Sequence, residues 1–411
     1  MTTASADYDP FDEFNRHQGA GSVRNPYPAF AAMRKRGPVH KVNLRKMLGE
    51  GTSLPPGTAD EVYVVVTHDA VAEVLRDGET FSSKGYAPTM GKVMGHTILE
   101  MDEPEHSRYR GLIQRAFSRG ALERWEKELI GPVVNRFVDA FAGRGRADLV
   151  RELTFPFPVA VIAGMIGLDE EDHEAFHRAA VELISISIDW DRAIRGAGRL
   201  REMFARVLAE RRREPRDDLV SVLAHSELDG TKLGDDEIFA FLLLLAPAGA
   251  ETTYRSSSNL LFGLLSHPDQ LEALRDKRLL MPRAIEEGLR WEAPLLSIMR
   301  HTTRAVRIGD TEIPADAVVS VNLGSANHDE TRYEDPDSFD IFREAKAHIA
   351  FGFGPHRCLG MHLARMETRV LLDTLFERLP NLRLDPEAED VHITGMIFRS
   401  PLELPVRFDP A

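Results

Sequence analysis

The sequence holds one cysteine and no long apolar run. A single thiol cannot close an intramolecular disulfide, which excludes a disulfide-stapled scaffold and fits a reducing, cytoplasmic compartment. The apolar stretches stop short of the ~18–20 residues a membrane span needs. The opening MTTASADYDPFDEF lacks the basic-then-apolar pattern of a signal peptide, so no membrane association is expected. Positive charge is in deficit. The 51 Lys and Arg face 65 Asp and Glu, a net −14, which argues against non-specific nucleic-acid binding. What remains is 43 % hydrophobic and 28 % charged over 411 residues, the composition of a sizeable soluble globular chain rather than a disordered one.

Repeats, low-complexity tracts and linker-like shifts in composition are also missing. One large domain is therefore expected over residues 26–411, behind a polar, turn-rich and partly ordered arm at 1–25. NPYPAFAAMRKRGPVHKV reads as a short helix closed at Gly37-Pro38. EVYVVVTHDAVAEVLRD reads as a strand running into a helix at the Thr67-His68-Asp69 start signal. Residues 81–100 show no clean period and read as a long loop, a length that is often functional. From Pro104 to Leu265 apolar residues recur at three-to-four spacing. VELISISID and DRAIRGAGRLREMFARVLAERRREP read as two helices around a short turn. DDEIFAFLLLLAPAGAETTYRSSSNLLFGLLSHP is apolar nearly all round in its first half, the mark of a buried helix, and Pro247 and Gly249 are expected to break or kink it. Small hairpins follow in AVRIGDTEIPADAVVSVNL and in the tail. The fold class is mainly α with a minor β portion.

Cys358 sits in FGFGPHRCLGMHLARMETRVLLDTLFERL, a glycine-rich turn leading into a long helix. Backbone N–H groups and the positive helix end favour thiolate there, and thiolate suits haem iron. A lone cysteine is more often a small buried hydrophobe, and it is the spacing that decides. Phe351, Gly354, His356, Cys358 and Gly360 resemble the cysteine-loop signature of the cytochrome P450 family. The resemblance implies a single large haem domain. It makes Cys358 the metal ligand of a haem b (iron protoporphyrin IX), shielded by Phe351, with Gly360 letting N–H groups approach the sulfur. His106 and Arg110 in EPEHSRYRGLI, with Arg300 and His356, resemble the groups that hold the haem propionates. Glu287 and Arg290 match the family's Glu-x-x-Arg pair, and Arg343 is the candidate third member of that structural triad.

Ala248, Gly249, Ala250, Glu251, Thr252 and Thr253 resemble the family's oxygen-activating helix motif. Ala248 and Gly249 would leave room for O2 beside the haem. Thr252 would hydrogen-bond the activated oxygen, and Glu251 would feed protons from solvent, general acid catalysis through a hydroxyl relay. A helical threonine also bonds back to the preceding turn, which is the plainer role for Thr252.

The resemblance places the substrate among Leu244, Leu245, Ala248, Leu295, Ile298, Met299, Ile397 and Phe398, with Tyr86, Met90 and Met94 on the 81–100 loop. Ser297 and His96 are the polar possibilities, and Lys84 or Lys92 could meet a carboxylate. A hydrophobic or aromatic small molecule follows. With no flavin portion in these residues, electrons are expected from a ferredoxin and its NAD(P)H-dependent reductase. Arg108, Arg115 and Arg119 are candidates to steer such an acidic partner. The implied activity is a haem-thiolate monooxygenase. The same haem site could instead end in demethylation, desaturation or coupling. A non-catalytic haem sensor would lack the Glu251–Thr252 relay, and a cysteine hydrolase would need a partner histidine oriented by a third group.

Overall fold

The residues that alternate or recur at helical spacing do form the corresponding elements in the structure, a computed structural model that describes residues 11, 23–43, 61–184, 189–228 and 230–410. Strand β1 (Val39–Asn43) pairs antiparallel with β2 (Glu61–Val65). The chain then enters α1 (His68–Arg76) at the expected start signal. Three further strands complete a sheet in the order β1-β2-β5-β4-β3: β3 (Phe81–Ser82), β4 (Ser297–Thr302) and β5 (Val318–Asn322). β5 runs parallel to β2 and antiparallel to β4, with Val321 opposite Ile298 and Val319 opposite Arg300.

Helices make the rest of the frame. They include α2 (Glu105–Gln114), α3 (Pro156–Ile166), α4 (His173–Ile184), α5 (Trp190–Arg213), α6 (Asp235–Ser266), α7 (Met281–Trp291) and α8 (Met361–Arg378). α4 and α5 are the two helices expected around a short turn, and most of that turn lies outside the described residues. The large core cluster gathers α3, α6 and α8, and a smaller one fills the space between the sheet and α1.

Two expectations are corrected. The α6 segment does not break at Pro247 and Gly249; it is one helix of 32 residues with Pro247 inside. A proline costs about 3 kcal/mol in a helix interior. Here the burial of Leu242, Leu243, Leu245 and Ala246 around it holds the helix together. The 81–100 segment is not an open loop but winds through short helical turns, Lys84–Tyr86, Ala87–Gly91 and Lys92–Met94. Val93 and Met94 anchor it in the core. Most of the 1–25 arm lies outside the described residues. Its described points are fixed: Phe11 is buried with its ring 5.0 Å from that of Phe155, and the Val23 carbonyl accepts from Arg399 at 3.0 Å. No helix among the described residues is long and apolar enough to cross a membrane.

Candidate active site

The cysteine loop owes its shape to two glycines. Gly352 and Gly354 adopt φ of +69° and +71°. A Cβ on Gly354 would also stand 2.2 Å from the Leu75 carbonyl at the end of α1, so only glycine serves there. The loop closes with Cys358 N–H donating to the Phe351 carbonyl at 2.8 Å. The Gly360 N–H bonds the Cys358 sulfur, as expected. Burial nevertheless outweighs that bond and the nearby Arg110, Arg365 and Arg357 charges, and pushes the thiol up from its ordinary value. Cys358 is deep among protein atoms and yet accessible, so it faces an interior cleft rather than the outer surface.

Four basic groups converge beside the loop from three separate elements. His106, on α2, is 1 % exposed; its Nδ1 meets Glu103 Oε1 at 3.1 Å, and its buried Nε2 has no partner. Its ring centroid lies 4.0 Å from that of His356. Arg110, one turn along α2, donates to the Arg357 carbonyl at 2.6 Å. Arg300, on β4, is buried, donates to the Met299 carbonyl at 2.8 Å and is steadied by Tyr86. Burial first, then the charges of His106, Arg300 and Arg110, depress His356 to about 3. Ser83 Oγ lies 3.3 Å from His356 Nε2. Such a cluster, with an orphaned buried nitrogen, has the chemistry to receive carboxylates. Glu103 and Ser83 escaped the sequence reading, although Glu103 stands at the readable i−3 position to His106, and Tyr86 was read as a substrate contact rather than a partner of Arg300.

α6 presents one accessible stripe along an otherwise buried helix. Leu244 and Thr252 are partly exposed and Ala248 between them is exposed, at i, i+4 and i+8. Thr252 Oγ1 donates to the Ala248 carbonyl at 2.8 Å, so the plain back-bond is what the structure shows. Its lone pairs remain free to accept. Glu251 faces another way, buried and 3.3 Å from Arg255 on the next turn. Burial raises its pKa to about 7, with Arg255 pulling the other way. Arg255, four residues on, was readable as its partner and was missed. Gly249 does not open the groove. A Cβ there would meet Ile162 Cδ1 of α3 at 2.7 Å, so its smallness serves helix packing. Gly249→Ala is accordingly expected to lower stability by about 1–3 kcal/mol, read by thermal unfolding, while leaving the haem spectrum unchanged.

The structural triad forms as expected. Glu287 takes two hydrogen bonds from Arg290, at 2.8 and 2.7 Å, and one from Arg343 at 3.3 Å. Arg290 is further spent on the carbonyls of Asn327, Pro336 and Ser338, which pins the segment leading to the cysteine loop.

Among the substrate candidates, the structure brings Leu295 and Phe398 together in an antiparallel bridge, with Leu296 N–H donating to the Ile397 carbonyl at 2.8 Å. Ile298 shares a face of β4 with Arg300. Met299 points to the opposite face, packed on Val62, Val64 and Val66, and leaves the list. Leu245 is buried in the core on the Gly249–Ile162 side, not on the accessible stripe, and leaves it too. Met94 is core. His96 is spent between Glu100 and Glu105, at 2.6 and 2.9 Å. Arg108 bonds Thr231 and Arg115 bonds the Glu227 carbonyl, so both hold a hairpin. Arg119 pairs with Glu123.

A mainly helical frame that offers a thiol, a carboxylate-ready basic cluster and an accessible helix stripe is that of a haem-binding oxidoreductase. The chain belongs to the cytochrome P450 family, whose model, Cytochrome P450, matches residues 151–396. It is 38 % identical over 343 residues to cytochrome P450 107B1 of Saccharopolyspora erythraea, covering 83 % of each chain. In three dimensions it resembles CYP109Q5 of Chondromyces apiculatus, with a TM-score of 0.85, 35 % identity and 94 % and 96 % of the two chains covered. CYP109E1 of Bacillus megaterium, solved in complex with testosterone, gives 0.83, 30 %, and 94 % and 99 %. The protein is thus a cytochrome P450 monooxygenase using haem b with a thiolate ligand. The residues fit that cofactor: the orphaned His106 Nε2 and its basic neighbours suit two propionates, and Cys358 is the one cysteine in the sequence.

Proposed function

We propose that residues 26–411 act as one haem domain which oxygenates a hydrophobic small molecule with electrons from a ferredoxin and its NAD(P)H-dependent reductase, in the cytoplasm. When bound, the haem supplies the iron centre at which O2 is activated. Cys358 would ligate that iron, with Phe351 shielding the sulfur. His106, Arg110, Arg300 and His356 neutralise the propionates. Ala248 leaves space along α6 for O2. Thr252 Oγ1, its own proton resting on the Ala248 carbonyl, would accept a hydrogen bond and so hold in place the group that is to be protonated. Glu251, on another side of α6 beside Arg255 and with its pKa raised to about 7, would supply that proton through intervening water.

The substrate reading rests on one observation, that the backbone bridge between Leu295 and Phe398 brings two partly exposed apolar residues from separate segments side by side. Leu244, Ile298 and the exposed Ile397 extend that apolar character. A neighbour of the same fold holds testosterone, which makes that steroid the first probe. Titrating testosterone into the haem-loaded protein is expected to shift its haem absorption spectrum in a saturable way. No shift with steroids or with other apolar compounds of that size would overturn the hydrophobic-substrate reading. The ferredoxin reading is supported by exposed Arg357 beside Cys358, with Arg110 and Arg365 acting on the same sulfur, in a chain that is acidic overall.

Burial raises the pKa of Glu251 to about 7, so it holds its proton in mildly acidic solution and gives it up as the pH rises through that value. Product formed per NAD(P)H consumed is therefore expected to fall as the pH rises through about 7. Glu251→Gln should give a yield about tenfold lower and flat with pH, the difference appearing as peroxide. A wild-type yield that rises over that range would exclude Glu251 as the proton donor.

A further inference from the structure

The cysteine loop is gripped from α7 twice. Glu287 holds the segment before the loop, as described above. Its neighbour Glu286, turned about 100° around the helix, reaches the loop itself and α8. Glu286 binds Arg365 with both oxygens, at 2.6 and 2.7 Å, in the parallel two-bond geometry of a guanidinium and a carboxylate. His348 Nε2 adds a contact to Glu286 at 3.2 Å. Burial would raise this acid, but the bonds from Arg365 and His348 bring it down to about 2, so it is ionised under all working conditions.

Arg365 does more than close a salt bridge. Its guanidinium carbon lies over the Phe351 ring, 4.6 Å from the centroid, and the His348 ring stands 5.9 Å from the same ring. Phe351 is the residue whose carbonyl receives the Cys358 N–H. The Arg365 charge also acts directly on the Cys358 sulfur. One side chain therefore touches the ligand loop in two ways, through the aromatic cover and through its field, and Glu286 decides where that side chain sits.

We infer that Arg365, held in place by Glu286, sets the charge behind the cysteine ligand, so that this pair tunes the iron's reduction potential rather than only bracing α8. Both are positioning residues, and the inference rests on Cys358 being the ligand. A positive charge near the iron favours the ferrous state, whose net charge is lower by one, and a negative charge disfavours it. Acting through charge, loss of Arg365 lowers the ferrous share and loss of Glu286 raises it, whereas a purely structural bridge gives one direction for both, because each loses the same two-bond fork.

The test is a potentiometric titration of the haem-loaded protein and of Arg365→Gln and Glu286→Gln. At a fixed potential near the midpoint, the ferrous-to-ferric ratio is expected to fall about threefold in Arg365→Gln and to rise by a similar factor in Glu286→Gln. Arg365→Lys keeps the charge but not the two-bond fork. It should leave the ratio within experimental error of wild type while its carbon monoxide complex loses the thiolate band faster. Shifts of the same sign in Arg365→Gln and Glu286→Gln, or none in either, would overturn the inference in favour of a purely structural bridge. If Arg365→Gln fails to retain haem, a Glu286→Gln ratio unchanged or lowered, or an Arg365→Lys ratio displaced as far as Glu286→Gln, overturns it equally. The ligand reading is checked separately: a wild-type protein without the thiolate band would sink that reading first.

Discussion

Cys358→Ser is expected to yield a folded protein that still takes up haem but has lost the thiolate-type carbon monoxide band and at least about a thousandfold in product formation, some 4 kcal/mol in the barrier. The fold should survive because the loop does not hang on the sulfur. Its shape comes from the positive φ of Gly352 and Gly354, from the Cys358 N–H bond to Phe351 and from the ion pairs of Glu286 and Glu287. All of these remain with serine. The propionate cluster of His106, Arg110, Arg300 and His356 is untouched, so the cofactor keeps its carboxylate anchors. What goes is the soft, electron-rich ligand whose push favours O–O cleavage. The carbon monoxide difference spectrum and the haem-to-protein ratio separate the two effects. A variant whose carbon monoxide spectrum is unchanged from that of the wild type would mean another ligand in both and would end the Cys358 reading. A variant that fails to fold would show the loop to be built on the sulfur, against the contacts above.

Motifs with a physical reason inside one short segment were legible in the sequence. The cysteine loop is one, because its glycines, aromatic and thiol each have a local task. Glu287 and Arg290 are another, since i,i+3 on a helix can form the observed fork. The α6 helix, its burial and the two helices before it followed from periodicity. What failed depended on a partner elsewhere in the chain. Gly249 was assigned to the oxygen groove, but its direction is fixed by Ile162 on α3, which a helical wheel does not contain. Ile298 and Met299 were both given to the substrate. Strand alternation permits one of them, and only the register with β5 and the packing behind β2 say which. Arg108 and Arg115 were candidates to steer an acidic partner; both are exposed, and their bonds to the Glu227–Lys232 hairpin, which the sequence could not show, fix where those charges sit. Pro247 was weighed as a breaker on intrinsic cost alone, without the burial that offsets it. The tether through Glu286 and Arg365 was invisible because its two halves lie on helices far apart in sequence.

Glu367 was passed over for the same reason, and it carries the second large expectation. It lies on α8, fully buried, with Thr253 of α6 donating to one oxygen at 3.2 Å and the other oxygen without a partner. Burial pushes its pKa from 4.5 to about 8, with Thr253 opposing weakly, so the folded protein holds this acid protonated at neutral pH. A folded-state pKa above the unfolded value means that the folded state binds the extra proton. The stability contributed is complete below pH 4.5 and is lost as the pH rises through about 8. Glutamine has nearly the same shape, keeps an oxygen to accept from Thr253 and never ionises. Glu367→Gln is therefore expected to match the wild type under acidic conditions and to exceed it at about pH 9 by on the order of 4 kcal/mol. Denaturant unfolding of both proteins across that range reads the difference. Glu251 bends the wild-type curve in the same direction, but Arg255 beside it offsets its burial, and it is unchanged between the two proteins, so the difference curve isolates Glu367. A flat difference would mean that Glu367 is ionised in the fold, which the described surroundings of its carboxyl do not allow at low cost.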